Sequence, residues 1–277
     1  MVTVRVPATT ANLGPGFDTL GLALALYNTL TFEELAEGLY FEGVDPEYAT
    51  AENLAVVAYK AVLSKLGLPM PGLRISVQAE IPICRGLGSS AALIAAGAAG
   101  ANANHGSPLT RAELLAVCND IEGHPDNLAP AIFGGLVASF VENERPYIAR
   151  YSLHKRLIPD FQLSTHLARG VLPKEVPYGD AIFNVSRTAV LLRALEEGDT
   201  ETISVSLRDK LHQTFRRTLI PGFDEAEALA NSCGCVAFFI SGAGPTLLCL
   251  SADPDFDARL AARLSELPGH WRQLPLP

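Results

Sequence analysis

Residues 80–92 read Glu80-Ile-Pro-Ile-Cys-Arg-Gly-Leu-Gly-Ser-Ser-Ala-Ala92: the end of a strand, a glycine turn and the opening of an alanine-rich helix. Gly86 and Gly88 permit backbone conformations that other residues resist, and they let an anion approach the main chain. Ser89 and Ser90 then stand at a helix N-terminus, where N–H groups and the positive end of the helix dipole meet negative charge. One dipole contributes only about 0.3–2 kcal/mol, so several N–H groups must converge to hold a polyphosphate. The stretch is not a Walker A loop, because no Lys-Ser/Thr follows the glycines, and it lacks the spacing of a dinucleotide fingerprint. The same residues would also serve a tight turn into a helix packed closely on a sheet. Glycine and serine content alone does not choose between the two.

Outward from this loop, strand-like and helix-like segments alternate with short connections, which points to an α/β or α+β class. Val2, Val4 and Val6 alternate with polar residues in a strand that Pro7 is expected to stop, and Leu20–Phe32 reads as a buried strand. Leu54, Val57, Ala58, Ala61, Val62 and Leu66 fall on one face of a helix over Glu52–Leu66 that Gly67 ends. A strand over Leu73–Ile81 and a small-residue helix over Ser89–Asn104 follow, and Thr110 with Glu113 forms a capping box for another helix. Glu142-Asn-Glu-Arg-Pro146 is the most polar connection mid-chain. A domain boundary is placed there, giving an N-terminal domain over 1–145 and a C-terminal α+β domain over 146–277. The second half is expected to hold strands at Tyr147–Leu153, Asp160–Thr165, Val236–Ile240 and Thr246–Leu250. Its helices are expected near Asn184–Glu197, Ile203–Lys210, Asp224–Asn231 and Asp255–Leu267.

With 277 residues, 48% of them hydrophobic and 18% charged, the chain has material for one large or two modest cores, which excludes disorder and collagen-like structure. A net charge of −9 argues against a surface that tracks nucleic-acid phosphates. No run approaches the ~18 apolar residues of a membrane span, and the N-terminus reads as a strand and not a signal peptide. Cysteines 84, 118, 233, 235 and 249 form no C-x-x-C pair and no disulfide framework. Histidines 105, 154, 166, 212 and 270 show no metal-ligand spacing. A cytoplasmic enzyme with no nucleic-acid and no membrane partner is the expectation.

Three segments carry a resemblance. Pro82-x-x-x-Gly-Leu-Gly-Ser-Ser-Ala-Ala92 resembles the phosphate loop of the galactokinase, homoserine kinase, mevalonate kinase and phosphomevalonate kinase superfamily. Val6-Pro-Ala-Thr-Thr-Ala-Asn-Leu-Gly-Pro-Gly-Phe-Asp18 resembles the N-terminal motif of homoserine kinases, and Ser241-Gly-Ala-Gly-Pro-Thr246 the glycine-rich C-terminal motif of the superfamily. The three occur in the expected order across nearly the whole chain. The resemblance implies an α+β, two-domain small-molecule kinase, with an N-terminal α/β nucleotide-binding domain and a C-terminal ferredoxin-like domain. It further implies ATP as phosphoryl donor and Mg2+ as cofactor. Pro82, Ile83, Cys84, Arg85, Gly86, Leu87, Gly88, Ser89, Ser90, Ala91 and Ala92 become the nucleotide loop, and a homodimer is compatible with the family.

Between the motifs, Glu122–Gly135, Ser164–Pro173, Phe183–Arg187 and Leu211–Arg216 are similar to segments of homoserine kinases. L-Homoserine carries a carboxylate, an ammonium and a primary alcohol. Arg169 and Arg216 are candidate carboxylate clamps, because guanidinium matches carboxylate bidentately. Asn12 and Asp18 are candidates for the ammonium and the alcohol chain, and the resemblance adds His124 to the same pocket. Each has a plainer reading: Arg169 and Arg216 as surface cations, with Arg217 a rival to Arg216, Asn12 and Asp18 as turn formers beside Gly14-Pro-Gly16, and His124 as a loop residue.

Phosphoryl transfer is mostly positioning and electrostatics. By resemblance Ser90 faces the metal and Glu122 supplies its carboxylate, with Asp120 the local alternative and Ala116 at the place of an acid in some relatives. Asp126 and Asn127 sit roughly where mevalonate kinases have a basic aspartate, and counting back from Gly134-Gly135 puts that aspartate's place on Asn127. Homoserine kinases do without a dedicated base, and Thr165 would orient the hydroxyl. The expected activity is phosphorylation of L-homoserine to O-phospho-L-homoserine in threonine biosynthesis. The alternatives are a kinase for an isoprenoid alcohol or a sugar, and a catalytically silent binding module.

Overall fold

The alternation of Val2, Val4 and Val6 with polar residues opens β1 (Val2–Ala11), which runs through Pro7 and does not end there. Among the described strands β1 pairs only with β2 (Leu20–Leu35), and on a strand with one partner a missing N–H need not break the ladder. This computed structural model describes residues 1–143, 145–151, 158–159, 168 and 170–274. They fall into two units. The first is Met1–Thr9, Gly21–Pro82 and Gly88–Ala149; the second is Thr10–Leu20, Ile83–Leu87 and Arg150–Pro277.

The first unit is built on a sheet ordered β3 (Leu39–Glu42), β4 (Gly72–Ala79), β2, β5 (Leu136–Glu142) and β6 (Arg145–Tyr151), with β1 joined to β2. Asn28 to Leu35 of β2 lie opposite Ala79 to Gly72 of β4 in antiparallel register, whereas β3 runs parallel to β4. The helices of this unit are α1 (Leu54–Lys65), α2 (Ser89–Asn104), α3 (Arg111–Glu122) and α4 (Leu128–Phe133). The small residues of α2 have a packing reason: a Cβ on Gly97 would lie 2.1 Å from the Ala55 carbonyl oxygen, and one on Gly100 would lie 2.5 Å from the Phe32 ring. The helix is thereby pressed onto both α1 and the sheet. The capping box at the start of α3 forms as the sequence dictates, Thr110 Oγ1 accepting from the Glu113 N–H and Glu113 accepting from the Thr110 N–H.

Of the polar stretch 142–146, Glu142 ends β5, Asn143 stands in the left-handed region at φ 51°, and Arg145 and Pro146 open β6. The division between the two units falls after Ala149. Two short pieces of the first half, 10–20 and 83–87, group with the second.

In the second unit the helices are α5 (Tyr178–Glu197), α6 (Thr200–Ser206), α7 (Gln213–Arg216), α8 (Phe223–Ser232) and α9 (Phe256–Arg263). Its described strands form two antiparallel pairs, β7 (Ile158–Pro159) with β10 (Gln273–Leu274) and β8 (Ala237–Ile240) with β9 (Leu247–Leu250). Phe223 and Leu229 of α8, Phe256 and Leu260 of α9, Ile240 and Leu247 pack into one apolar core. Helix α5 starts six residues earlier than the sequence suggested, with Pro177 immediately ahead of its first turn. The helix expected over Ile203–Lys210 stops at Ser206; the Lys210 N–H is taken by Asn184 Oδ1, and those of Leu211, His212 and Gln213 by the Asp209 carboxylate. The strand expected at Asp160–Thr165 lies outside the described residues.

Candidate functional site

In the first unit the decisive residue is Gly88, the N-cap of α2, at φ 66° and with no side chain capping the helix. A Cβ there would lie 1.9 Å from Thr9 Oγ1, so only glycine fits. Thr9 Oγ1 in turn donates to Asn127 Oδ1 at 2.9 Å. Pro82, Ser89, Ser90, Ala91 and Ala92 belong to this unit with Gly88. Ser90 Oγ donates to Glu122 Oε1 at 2.7 Å, which brings together the two residues expected at the metal. Asp120 is exposed and Ala116 is buried within α3. The charge of Glu122 is felt locally: burial first, and Glu122 second, push the Cys118 thiol up to about 12.

Asp126 is 2% exposed, and its Oδ1 accepts from His124 Nδ1 at 2.8 Å and from the Asn127 N–H at 2.9 Å. Bonded to the carboxylate, Nδ1 of His124 carries a proton, which fixes the orientation of the ring. Asp126, Asn127 and His124 are thus one cluster, and its bonds make Asp126 an anchor for the other two.

The second unit gathers pieces of all three motifs. Ser241 Oγ donates to the Gly86 carbonyl at 2.7 Å. A hydroxyl has one proton, so the 2.8 Å bond between Ser241 Oγ and Thr10 Oγ1 is donated by Thr10. A Cβ on Gly86, at φ 72°, would lie 2.5 Å from the Ser241 oxygen and 2.8 Å from that of Gly244. Ile83 and Cys84 of this loop segment are exposed, Arg85 is half-buried and Leu87 is buried. Asn12, at φ 72°, donates from Nδ2 to the Gly242 carbonyl at 2.8 Å and accepts the Asp18 N–H at 3.0 Å. Its amide shapes the loop that presents Asp18, which is half-buried.

Arg216 is 2% exposed, so the plainer reading of it as a surface cation fails. Its Nε donates to the Ala168 carbonyl at 3.0 Å and a terminal nitrogen to the Gly242 carbonyl at 2.9 Å, and the guanidinium sits 5.2 Å from the Phe17 ring centre. The rival Arg217 pairs with Asp224 at the surface. Arg169 and Thr165 lie outside the described residues. Sequence reasoning passed over Thr9, Asn184, Asp209 and His212. For His212 a signal existed in Leu211-His-Gln-Thr-Phe-Arg216, but nothing in the sequence says which neighbour a histidine meets.

Among the described residues no group of three or more His, Cys, Asp or Glu side chains is placed to hold a metal. The Ser90–Glu122 pair offers two hard oxygens, which suits Mg2+, an ion that usually takes one or two carboxylates and completes its shell with water and substrate phosphates. Among the described residues, no helix is long and apolar enough to cross a membrane.

Family models for the GHMP kinases N terminal domain and the GHMP kinases C terminal region match residues 53–135 and 191–268. The chain is 43% identical to a homoserine kinase of Clostridium botulinum, covering 98% of this chain and 94% of that one. It is 46% identical to a homoserine kinase of Moorella thermoacetica, covering 95% and 92%. Among solved structures, a homoserine kinase from Cytophaga hutchinsonii superposes with a TM-score of 0.83 at 26% identity over 99% of this chain and 95% of the other. The phosphomevalonate kinase of Streptococcus pneumoniae shares the fold, with a TM-score of 0.74 at 13% identity over 99% of each chain. With both family domains matched and such identity to homoserine kinases over almost its whole length, the chain belongs to the homoserine kinase family of the GHMP kinases.

Proposed function

We propose that the protein transfers the γ-phosphoryl group of ATP to the side-chain hydroxyl of L-homoserine, giving O-phospho-L-homoserine for threonine biosynthesis. The observation that carries this reading is the pair formed by Arg216, whose guanidinium lies over Phe17, and Asp18, the next residue along. A cation stacked on Phe17 and a carboxylate on the residue that follows it complement an amino acid's carboxylate and ammonium. The full-length similarity to homoserine kinases supports the same substrate.

In this reading the backbone from Pro82 to Ala92 wraps the phosphates, with the N-terminus of α2 aimed at their charge. Ser90 and Glu122 would hold Mg2+, which when bound offsets the phosphate charge. Asn12 orients Asp18, Arg169 joins Arg216 on the carboxylate, and Thr165 and His124 align the alcohol chain. Asp126 Oδ1 is occupied by His124 and Asn127, and this favours a role in alignment over proton abstraction. The alcohol proton then passes to a γ-phosphate oxygen as the new O–P bond forms and the bond to ADP breaks. A cytoplasmic location and a homodimer belong to the same reading.

The test is ADP release by the purified protein with ATP and Mg2+, offered L-homoserine, D-homoserine, L-serine, mevalonate, phosphomevalonate or galactose. Turnover with L-homoserine alone is the expected result. Turnover with another alcohol instead would overturn the pocket and keep the fold.

A further inference from the structure

The loop Asn12–Asp18 is an unfavourable piece of backbone. Asn12, Leu13, Gly14 and Asp18 all have positive φ, at 72°, 43°, 68° and 53°, and non-glycine residues rarely adopt such angles without support. The support comes from a buried polar group in the second unit. His212 is fully buried, and its Nε2 lies 2.7 Å from the Gly14 carbonyl. A carbonyl only accepts, so Nε2 carries the proton. Asn184, 2% exposed, donates from Nδ2 both to the Pro15 carbonyl at 3.1 Å and to Asp209 at 2.6 Å. Asp209 also takes the backbone N–H groups of Leu211, His212 and Gln213, which sets the backbone that carries the histidine.

Two packing contacts complete the hold. The Phe17 ring stacks on the His212 imidazole with centroids 5.2 Å apart and planes 25° apart. Gly14 is pressed so closely onto the end of α6 that a Cβ would lie 2.3 Å from the Leu207 carbonyl oxygen. An imidazole supplies both a rigid donor and a flat face here. Burial, followed by the neighbouring Arg216, keeps it neutral against the opposing pull of Asp209 and Asp18.

We propose that His212, backed by Asp209 and Asn184, is a positioning residue that fixes the Asn12–Asp18 loop in its substrate-binding shape. The inference rests on the assignment of Asp18 and Asn12 to homoserine. His212 bonds the loop's main chain and acts on the substrate only through it.

The experiment compares His212→Leu, His212→Gln and Asn184→Ala with the unaltered protein. It measures KM and kcat for L-homoserine and ATP, and hydrogen exchange at the amides of residues 13–20 without substrates. Leucine keeps the bulk and removes the donor; glutamine restores a donor near the same reach. The expected result for His212→Leu is a rise in the homoserine KM of roughly ten- to hundredfold, in line with small misplacements of a binding group. The ATP KM should stay within about twofold, and loop exchange should accelerate. His212→Gln should recover most of both effects, and Asn184→Ala should fall in between. Unchanged exchange and homoserine KM in all soluble variants would overturn the proposal. Faster loop exchange with an unchanged homoserine KM would keep the loop anchoring and remove the assignment of Asp18 to substrate. If His212→Leu does not fold, the glutamine and Asn184→Ala variants decide in the same way.

Discussion

Ser90 at the start of α2 and Glu122 at the last position of α3 are joined by a 2.7 Å hydrogen bond from hydroxyl to carboxylate. The contact places a hard oxygen pair beside the N-terminus of α2. If these oxygens serve Mg2+, Glu122→Gln should raise the Mg2+ concentration giving half-maximal activity by about tenfold or more, as loss of one charged ligand contact implies. Asp120→Asn, on the exposed side of α3, should leave that concentration unchanged. A Mg2+ titration at saturating ATP reads both.

Asp126 gives a sharper distinction. Asparagine keeps an oxygen acceptor for His124 and for the Asn127 N–H but cannot take a proton. An alignment role predicts that Asp126→Asn lowers kcat by less than about tenfold, whereas loss of a general base typically costs 10²–10⁴-fold. Single-turnover phosphoryl transfer in a quench-flow instrument measures the difference directly.

Gly88 and Gly67 both have positive φ, at 66° and 70°, yet only Gly88 has a neighbour in the way. Gly67→Ala should cost about 1–2 kcal/mol of stability and leave ATP binding intact. Gly88→Ala must displace Thr9 Oγ1 and should abolish measurable ATP binding by calorimetry. Combining it with Thr9→Ser removes a methyl group but not the clash. Combining it with Thr9→Ala removes the clashing oxygen and should recover part of the affinity, a coupling that independent sites would not show.

The buried His212 makes a prediction about pH. Its folded-state pKa lies below the ordinary histidine value, chiefly because burial disfavours the charged ring, so below about pH 6.5 the unfolded chain binds a proton that the folded one refuses. Stability is therefore greatest above that pH and falls as the solution is acidified, with a limiting slope near 1.4 kcal/mol per pH unit for one proton. Urea unfolding at pH 7.5, 6.5 and 5.5 should show the decline, and His212→Gln should lessen it. An equally steep decline in the glutamine variant would assign the proton elsewhere.

Local chemistry is what the sequence exposed. The capping box at Thr110, the small-residue helix after Gly88 and the glycine turns at 86 and 88 are each written into a few consecutive residues. The extent of β1 was misread because Pro7 stops a strand only where its N–H is needed, and the number of partners β1 has is a property of the sheet. Helix α4 went unseen, since six residues bounded by Asn127 and Gly134 show too little periodicity. Within the second unit, pieces of the three motifs meet, but the bonds that join them could not be read in sequence. Arg216 looks like a surface cation in sequence, and its burial arises from Gly242 and Phe17, far away along the chain. Partners such as Thr9 for Asn127, or Asp209 for Asn184, follow from tertiary placement alone.

The interleaving of the two units constrains how this chain can be made and altered. All three pieces of the first unit exist once residue 149 has been synthesised, whereas residues 10–20, among the earliest made, must wait for the last stretch of the chain before their unit can close. A fragment starting at Arg150 would lack both inserted pieces and with them the partners of His212 and Ser241. Neither half can therefore be exchanged between relatives as a cassette by a single cut. Recombination at the Ala149–Arg150 junction should yield folded hybrids only when the segments 10–20 and 83–87 are transferred together with the C-terminal half.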